Sequence, residues 1–312
     1  MGPAGNDGDR MANMTFKYKT MLGSAIVLFL ALLTASCITV GLSIRQGKLD
    51  HALAAAIKGQ NAAQTISLLD QGANPNALVN SGEAVTVQGM LAELWDRFTG
   101  APPHRQYRPT AFAVSFDRNL WFGNATKDDV WAACLRHRAN PLTKDEFGST
   151  LLSYAAQDCH APTVRLLMAL HIDPNLKDGS YNFPIIYTNY ECAHILLESG
   201  ANPNCVGICG VTPLMAAAMN DFSTGQLLLD HHARLNAQGP DGQTPLMLAC
   251  IHHKYNHTGA QVLLNHGARV TIQDRYGKTA LDYARKQKAR ALVARMEAIA
   301  LQENPSRLAA RK

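Results

Sequence analysis

Two short sequence signatures recur along this chain at intervals of about 33 residues. The first marks helix starts and lies at Thr150-Leu151, Phe183-Pro184, Thr212-Pro213, Thr244-Pro245 and Thr279-Ala280. The second marks helix ends and lies at Gly72-Ala73, Arg138-Ala139, His171-Ile172, Gly200-Ala201, His232-Ala233 and Gly267-Ala268. Its successive steps are 66, 33, 29, 32 and 35 residues, and the first step is twice the period. Such a regular period predicts a stack of similar structural units.

The stretch 239–270 shows one unit most clearly. Thr244 suits the N-cap of a helix, and Pro245 suits its first position, where no backbone N–H is needed. Gly267 suits the residue that ends a second helix. Each unit therefore reads as two short helices, and because such a pair cannot bury both of its faces alone, it needs neighbouring units.

The period and the motifs T-P-L-x-x-A and G-A-x-x-N resemble the ankyrin repeat. The resemblance is closest from about 145 to 300, good at 49–80 and weak between them. It implies an all-α solenoid of about six to seven helix-pair units with β-turn loops. One transmembrane or signal-anchor helix is expected to precede this solenoid.

The predicted organisation divides the chain into seven segments. They are an N-terminal flank (1–20), the transmembrane or signal-anchor helix (21–44), a first repeat (49–81), a degenerate repeat with an insertion (82–118), further repeats (119–275), a capping repeat (276–301) and a basic tail (302–312). Within the degenerate segment, 83–98 predicts an amphipathic helix and 110–116 a short extended stretch. Its aromatic residues read as local core or as a binding patch.

Residues 21–44 contain no charged side chain. At about 1.5 Å per residue, a helix of this length crosses a hydrocarbon layer of about 30 Å. One alternative is lipidation at Cys37, because Thr34-Ala35-Ser36-Cys37 resembles a bacterial lipobox; another is an ordinary cleaved signal. The signal-like start favours repeats on the periplasmic side, and the cytoplasmic side stays open because Lys and Arg are balanced across the segment.

The positions of six cysteines predict two different environments, the interior of helices and a loop. Cys134, Cys159, Cys192 and Cys250 read as small core residues inside helices. Cys205 and Cys209 lie four apart in a loop and could form a disulfide in an oxidising compartment. The unit that begins at Phe183 is four residues short, so its first helix or inter-helix turn is expected to be clipped.

Composition and motifs argue against several functions. The chain is 47% apolar and 17% charged with a net charge of +5, and no basic stripe is interleaved with aromatic residues, so nucleic-acid binding is not expected. The nucleophile, zinc, phosphate and dinucleotide signatures are absent from the sequence, which predicts no enzyme and no cofactor. His253 and His257 have metal-ligand spacing but span the expected inter-helix turn, so no metal site is predicted.

The ankyrin resemblance implies binding of another protein through the concave face and loop tips, with no small-molecule substrate. The residues that it places there are Glu146, Phe147, Ser149, Gln157, Asp158, Asp178, Tyr181, Met219, Asn220, Pro240, Asp241, Gln243, Ile251, His252, Arg275, Tyr276 and Lys278. The alternative is a membrane-anchored structural or regulatory element that binds a small ligand or a metal. The layout also resembles bacterial proteins that protect the envelope, including immunity proteins against secreted toxins.

Overall fold

A computed structural model of the chain describes residues 34, 38–78, 110–116, 120, 126–145, 147–179, 182–220, 222–252 and 258–303. Regular structure in these residues is entirely α-helical, apart from isolated bridges between Leu78 and Thr110 and between Lys144 and Thr150. The predicted flank at 1–20, most of the apolar segment, Cys37, the helix at 83–98 and nearly all of the basic tail lie outside the described residues.

Thirteen helices are described. They are α1 (38–58), α2 (Ala62–Asp70), α3 (Ala111–Val114), α4 (Lys127–Arg136), α5 (Leu151–Gln157), α6 (Ala161–Ala169), α7 (Tyr190–Glu198), α8 (Pro213–Met219), α9 (Ser223–Asp230), α10 (Pro245–Ile251), α11 (Thr258–Asn265), α12 (Ala280–Lys286) and α13 (Arg290–Glu303). First helices pack on first helices, as in α8, α10 and α12, and second helices pack on second helices, as in α4, α6, α7 and α9. The described chain is therefore two stacked rows of helices.

The predicted helix starts are confirmed where threonine is the cap. The hydroxyls of Thr150, Thr212, Thr244 and Thr279 each accept a hydrogen bond from the backbone N–H three residues later. Pro213 and Pro245 occupy the first helical position, as the signature predicts. These caps fix where each first helix begins and so keep the row in phase.

The predicted helix ends are confirmed at all six positions. Each first member of the pair has a positive φ, from 57° at His171 to 96° at Gly72. The following residue then donates its N–H to a carbonyl five residues back, as Ala268 does to Leu263 at 3.0 Å. This is the left-handed helix ending that favours glycine, and the chain also uses it with Arg138, His171 and His232.

A β-turn closes each unit at the expected spacing. The backbone N–H groups of residues 145, 178, 207, 239 and 274 donate to the carbonyls of 149, 182, 211, 243 and 278. Neighbouring turn tips touch, because Gly179 N–H donates to Gly148 O at 2.7 Å and Arg275 N–H donates to Asp241 O at 2.9 Å. A Cβ on Gly179 would lie 2.1 Å from the carbonyl oxygen of Phe147, so only glycine fits there.

Residues 79–109 are inserted between two units whose described parts contact each other directly. Ala111 N–H donates to Ala77 O at 3.0 Å, and Phe112 N–H donates to Pro75 O at 2.9 Å. Helix α2 packs directly on α4. The interpretation of this stretch as the occupant of one repeat slot is therefore wrong, because the units on either side of 79–109 are already neighbours.

The prediction of an extended stretch at 110–116 is also wrong. Thr110 caps the short helix α3 by accepting from the N–H of Ala113 at 3.0 Å. Phe112 and Phe116 are fully buried and meet edge to face with ring centroids 5.1 Å apart. Burial of these two rings favours the helical turn, which aims both at the core, so they are local core. Trp95, Tyr107, Trp121 and Phe122 lie outside the described residues.

Three of the four predicted core cysteines are buried. Cys134, Cys192 and Cys250 are buried within helices, and burial raises the pKa of each thiol to about 12. Cys159 is a correction: it is exposed and has a φ of 67°, because it follows the end of α5 instead of lying inside it. The core is thus continuous through small residues, as the repeat pattern predicts.

Helix α1 joins the repeats to the N-terminal apolar segment. Asp50 accepts a hydrogen bond from the N–H of Asn74 at 2.6 Å, and Gln46 donates to Gly72 O at 2.9 Å, so α1 docks on the loop after α2. Ile38 and Leu42, nearer the N-terminus, are about 60% exposed. Among the described residues, none of the helices has both the length and the apolar character needed to cross a membrane.

Candidate functional site

The clipped unit leaves a gap in the row of first helices. Where other units have a first helix, residues 184–187 form only a turn, and Asn189 then caps α7. Ile185 and Ile186 still fill the core, and the hydroxyl of Thr188 donates to Ala156 O at 3.0 Å. The four missing residues therefore remove helical structure from the row of first helices without breaking the stack.

A pocket of about 560 Å³ lies beside this turn. It is lined by Phe147, Ser149, Ser153, Tyr154, Gln157, Asp158, Asp178, Asn182 and Tyr187. These residues come from the turn and first helix of one unit and from the turn region of the next. The pocket is thus formed by two successive units, and its volume lies within the usual range for binding sites of about 300–1,000 Å³.

Two exposed aromatic side chains belong to the pocket. Phe147 is 68% exposed at the tip of its turn, and Tyr187 is 47% exposed. The turn that presents Phe147 is fixed, since Asp145 accepts hydrogen bonds from the N–H groups of Phe147 and Ser149 at 2.9 and 2.7 Å. Tyr187 has a φ of 66°, a left-handed conformation that is uncommon for a non-glycine residue. Large exposed rings on a fixed backbone suit recognition of another surface.

Aspartates at the turns are organised in a repeating way. Asp145 accepts a hydrogen bond from the Tyr154 hydroxyl at 2.7 Å, and Asp274 accepts one from Tyr283 at 2.5 Å. Burial raises the pKa of Asp274, but the hydrogen bonds from Tyr283 and two backbone N–H groups outweigh it, so its pKa is lowered. Burial and the bond to Asp274 together raise the pKa of Tyr283.

Asp178 holds the same turn position in the clipped unit. It is 7% exposed and lines the pocket. Its Oδ1 accepts a hydrogen bond from the N–H of Asn182 at 2.9 Å. Tyr187 stands nine residues later, as Tyr154 does after Asp145, but no hydrogen bond joins Tyr187 to Asp178 in the described part of the chain. The lost helix accounts for this difference.

The structure brings together only some of the predicted partner-binding residues. Those in the pocket are Phe147, Ser149, Gln157, Asp158 and Asp178. Those on later units are Met219, Asn220, Pro240, Asp241, Gln243, Ile251, His252, Arg275, Tyr276 and Lys278, while Glu146 and Tyr181 lie outside the described residues. The sequence prediction missed Ser153, Tyr154, Asn182 and Tyr187. Tyr187 follows Asp178 at the same spacing at which Tyr154 follows Asp145. This shared spacing could have indicated that Tyr187 lies near the turn aspartate of its unit.

A second polar cluster lies at the turn tips of the last two units. Arg275 pairs with Asp241 at 2.6 Å and donates to the Tyr276 hydroxyl at 2.6 Å. The hydrogen bond with Tyr276 and the charge of Asp241 raise the pKa of Arg275. Tyr276 is 61% exposed. These three side chains bond to one another. In the pocket, by contrast, no described residue bonds to the Oδ2 atom of Asp178.

The histidine and cysteine candidates lie in different parts of the chain. No group of three or more metal-ligating side chains converges within the described residues, and His253 and His257 lie outside them. Cys205 and Cys209 are free thiols in this structure; Cys205 is buried, which raises its pKa to about 12, and Cys209 is exposed. The disulfide between them stays a prediction for an oxidising compartment.

Comparison with known protein families matches part of the chain to ankyrin repeats. Residues 183–274 and 214–298 match the family model described as "Ankyrin repeats (3 copies)". No match was found among curated proteins. The matched residues cover the clipped unit and every later unit, and the earlier units share their turn and cap geometry.

Proposed function

Because residues 183–298 belong to the ankyrin repeat family, we propose that this chain is a non-enzymatic module that binds another protein through its concave face. Ankyrin repeats generally mediate protein–protein interaction. The observation that supports a particular binding site is the pocket at the clipped unit. There the exposed rings of Phe147 and Tyr187 lie beside the buried carboxylate of Asp178.

The chemistry of this pocket suits a protein surface. Aromatic residues are enriched at the centres of interfaces, where they bury large area at low entropic cost. The turn backbone is held by internal hydrogen bonds, as at Gly179 and Gly148, so the rings are presented without much ordering on binding. Both features favour a protein segment that enters between the turn tips.

Site-specific photo-crosslinking tests this proposal. A benzophenone side chain placed at Phe147 should give a discrete protein adduct in cells, whereas the same group at Leu170 should not, because exposed Leu170 does not line the pocket. Adding Tyr187→Ala should reduce the adduct at Phe147. Equal labelling from both positions, or no protein adduct at all, would contradict the proposal; the latter would favour the small-ligand alternative.

We also propose that residues 21–44 tether the repeats to a membrane, with the repeats on the periplasmic side. Helix α1 contains the last residues of this apolar run, and Ile38, Val40 and Leu42 support the proposal because these apolar side chains are exposed. Protease added to spheroplasts should digest the repeats. Protection of the repeats would reverse the orientation, and recovery of the intact chain in the soluble fraction would remove the tether. Acyl labelling lost in Cys37→Ala would identify the lipoprotein alternative.

An envelope-protective role, such as immunity to a secreted toxin, is a narrower proposal that rests on the layout of a tethered repeat protein. It predicts that cells without the chain become sensitive to a toxin delivered to the envelope. The crosslinked partner would then be that toxin. A partner that is a resident protein of the same cell, with no change in sensitivity, would contradict it.

A further inference from the structure

Resting on the proposed protein-binding role, the geometry points to the chemistry of the partner: we propose that the pocket takes an arginine side chain of the partner protein. The guanidinium group would lie against the rings of Phe147 and Tyr187 and meet the carboxylate of Asp178. Three observations support this assignment, namely the charge of the lining, the state of Asp178 and the shape of the aromatic groups.

The pocket is a negative site on a positive chain. Among the nine described residues that line it, Asp158 and Asp178 are acidic and none is basic. The whole chain has a net charge of +5. A cationic group is therefore attracted to this lining, and the chain as a whole does not share its negative charge.

Asp178 has unused capacity to accept hydrogen bonds. It is 7% exposed, yet its Oδ2 has no partner within the described residues. The corresponding oxygens of Asp145 and Asp274 accept tyrosine hydroxyls. A buried carboxylate is costly unless its oxygens are satisfied, so a charged donor that enters the pocket would supply what Tyr154 and Tyr283 supply elsewhere.

The aromatic groups favour arginine over lysine. A guanidinium is planar, stacks on aromatic faces and is less strongly hydrated than an ammonium group. It also carries several N–H donors in a fixed plane, so it can reach Asp178 while its face contacts a ring. The chain already contains such an arrangement, in which the guanidinium carbon of Arg275 lies 4.8 Å from the ring centroid of Tyr276 and the group pairs with Asp241.

The test uses the full chain in detergent and three blocked amino acids as probes. Acetyl-arginine amide, acetyl-lysine amide and the neutral isostere acetyl-citrulline amide are titrated by ligand-observed saturation-transfer NMR. Acetyl-arginine amide should bind at least ten times more tightly than acetyl-citrulline amide and more tightly than acetyl-lysine amide. Asp178→Asn should weaken arginine binding at least tenfold, because it keeps the acceptor for the Asn182 N–H but removes the charge.

Asp274→Asn is the matched control, since Asp274 holds the same turn position in another unit and does not line the pocket. It should leave arginine binding unchanged. Equal binding of the arginine and citrulline probes, no arginine binding, or equal loss in both variants would overturn the inference. The photo-crosslink at Phe147 does not depend on this result, so an adduct without arginine preference would reject the inference and leave the protein-binding proposal standing.

Discussion

The side-chain amide of Asn76 donates a hydrogen bond at 2.8 Å to the backbone carbonyl of Arg138, 62 residues further along the chain. Asn140 N–H returns a bond to Asn76 Oδ1 at 2.7 Å. The same bridge joins Asn175 to Gly200 and Asn204 to His232, but across only 25 and 28 residues. One asparagine thus joins each of these units to the next. The bridge forms even where its two residues are 62 positions apart, so the first two units are stacked like the later ones.

The first prediction concerns the insertion at 79–109. Leu78 and Thr110 already form a bridge, so replacing residues 80–108 by an Asn-Gly turn should leave the helical circular dichroism and lower the melting temperature by no more than about 4 °C. Asn76→Ala should instead cost about 1–3 kcal/mol, since it removes both inter-unit hydrogen bonds. Loss of helical signal in the shortened chain would show that the insertion is needed for stacking.

The second prediction concerns packing between units. Leu263 is fully buried in α11, so Leu263→Ala should lower the free energy of unfolding by about 2–5 kcal/mol, measured by urea denaturation. Leu142 is 50% exposed, and Leu142→Ala should change it by no more than about 0.5 kcal/mol. Equal effects from the two substitutions would contradict the stacked arrangement.

The third prediction is a pH dependence from Asp128. Burial raises its pKa, but hydrogen bonds from His160 and Thr163 outweigh burial, so its pKa lies below the ordinary 3.8. A lowered folded-state pKa means that its contribution to stability is complete above about pH 4 and is lost as the pH falls through the lowered value. Asp128→Asn should therefore be less stable than the natural chain at pH 7, by about 1–3 kcal/mol.

Urea denaturation of both chains at several pH values measures this difference. The gap in unfolding free energy between the natural chain and Asp128→Asn should close below pH 4. Asp230→Asn serves as the control, because Asp230 accepts an exposed hydrogen bond from Gln226. A gap that stays constant down to pH 2 would show that the charge of Asp128 does not contribute.

Local signals in the sequence predict the repeating parts of this fold well. The caps at Thr244 and Gly267 depend on residues within one turn of a helix, so their identities are sufficient to locate the helix ends. The clipped unit was also detectable from the sequence. Because each unit consists of two helices and their connections, a unit that is four residues short must have lost them from a helix or from a turn. The pocket lining follows partly from the same repeat pattern, which predicts Phe147 and Asp178 on one face, and both residues line the pocket.

The remaining features depend on distant contacts. Residues 110–116 have weak local signals, and their helix is decided by burial of Phe112 and Phe116 against neighbouring units. Nothing local shows that Asn76 reaches Arg138, so the insertion could not be told from a degenerate repeat. The left-handed conformation of Tyr187 likewise follows from the loss of the first helix in its unit. The sequence shows that four residues are missing there, but it could not show whether they are missing from the helix or from the inter-helix turn.

The fourth prediction addresses Phe147 and Tyr276, two exposed aromatic side chains at different turn tips. Phe147→Ala and Tyr276→Ala should each weaken partner binding by roughly 1–3 kcal/mol if both turn tips touch the partner. Loss in Phe147→Ala alone would confine the interface to the clipped unit. Loss on changing Trp95 or Trp121 instead, with both turn-tip variants unaffected, would move the site to residues 81–122.

The central claim is that a protein partner binds at the pocket of the clipped unit. Its most direct test is the calorimetric affinity of the full chain for the partner identified by crosslinking at Phe147, compared among the natural chain, Phe147→Ala, Tyr187→Ala and Leu142→Ala. Phe147→Ala should bind about 5–150-fold more weakly with an unchanged melting temperature, because its side chain is 68% exposed, and Leu142→Ala should bind normally. Natural affinity in both Phe147→Ala and Tyr187→Ala would contradict the account.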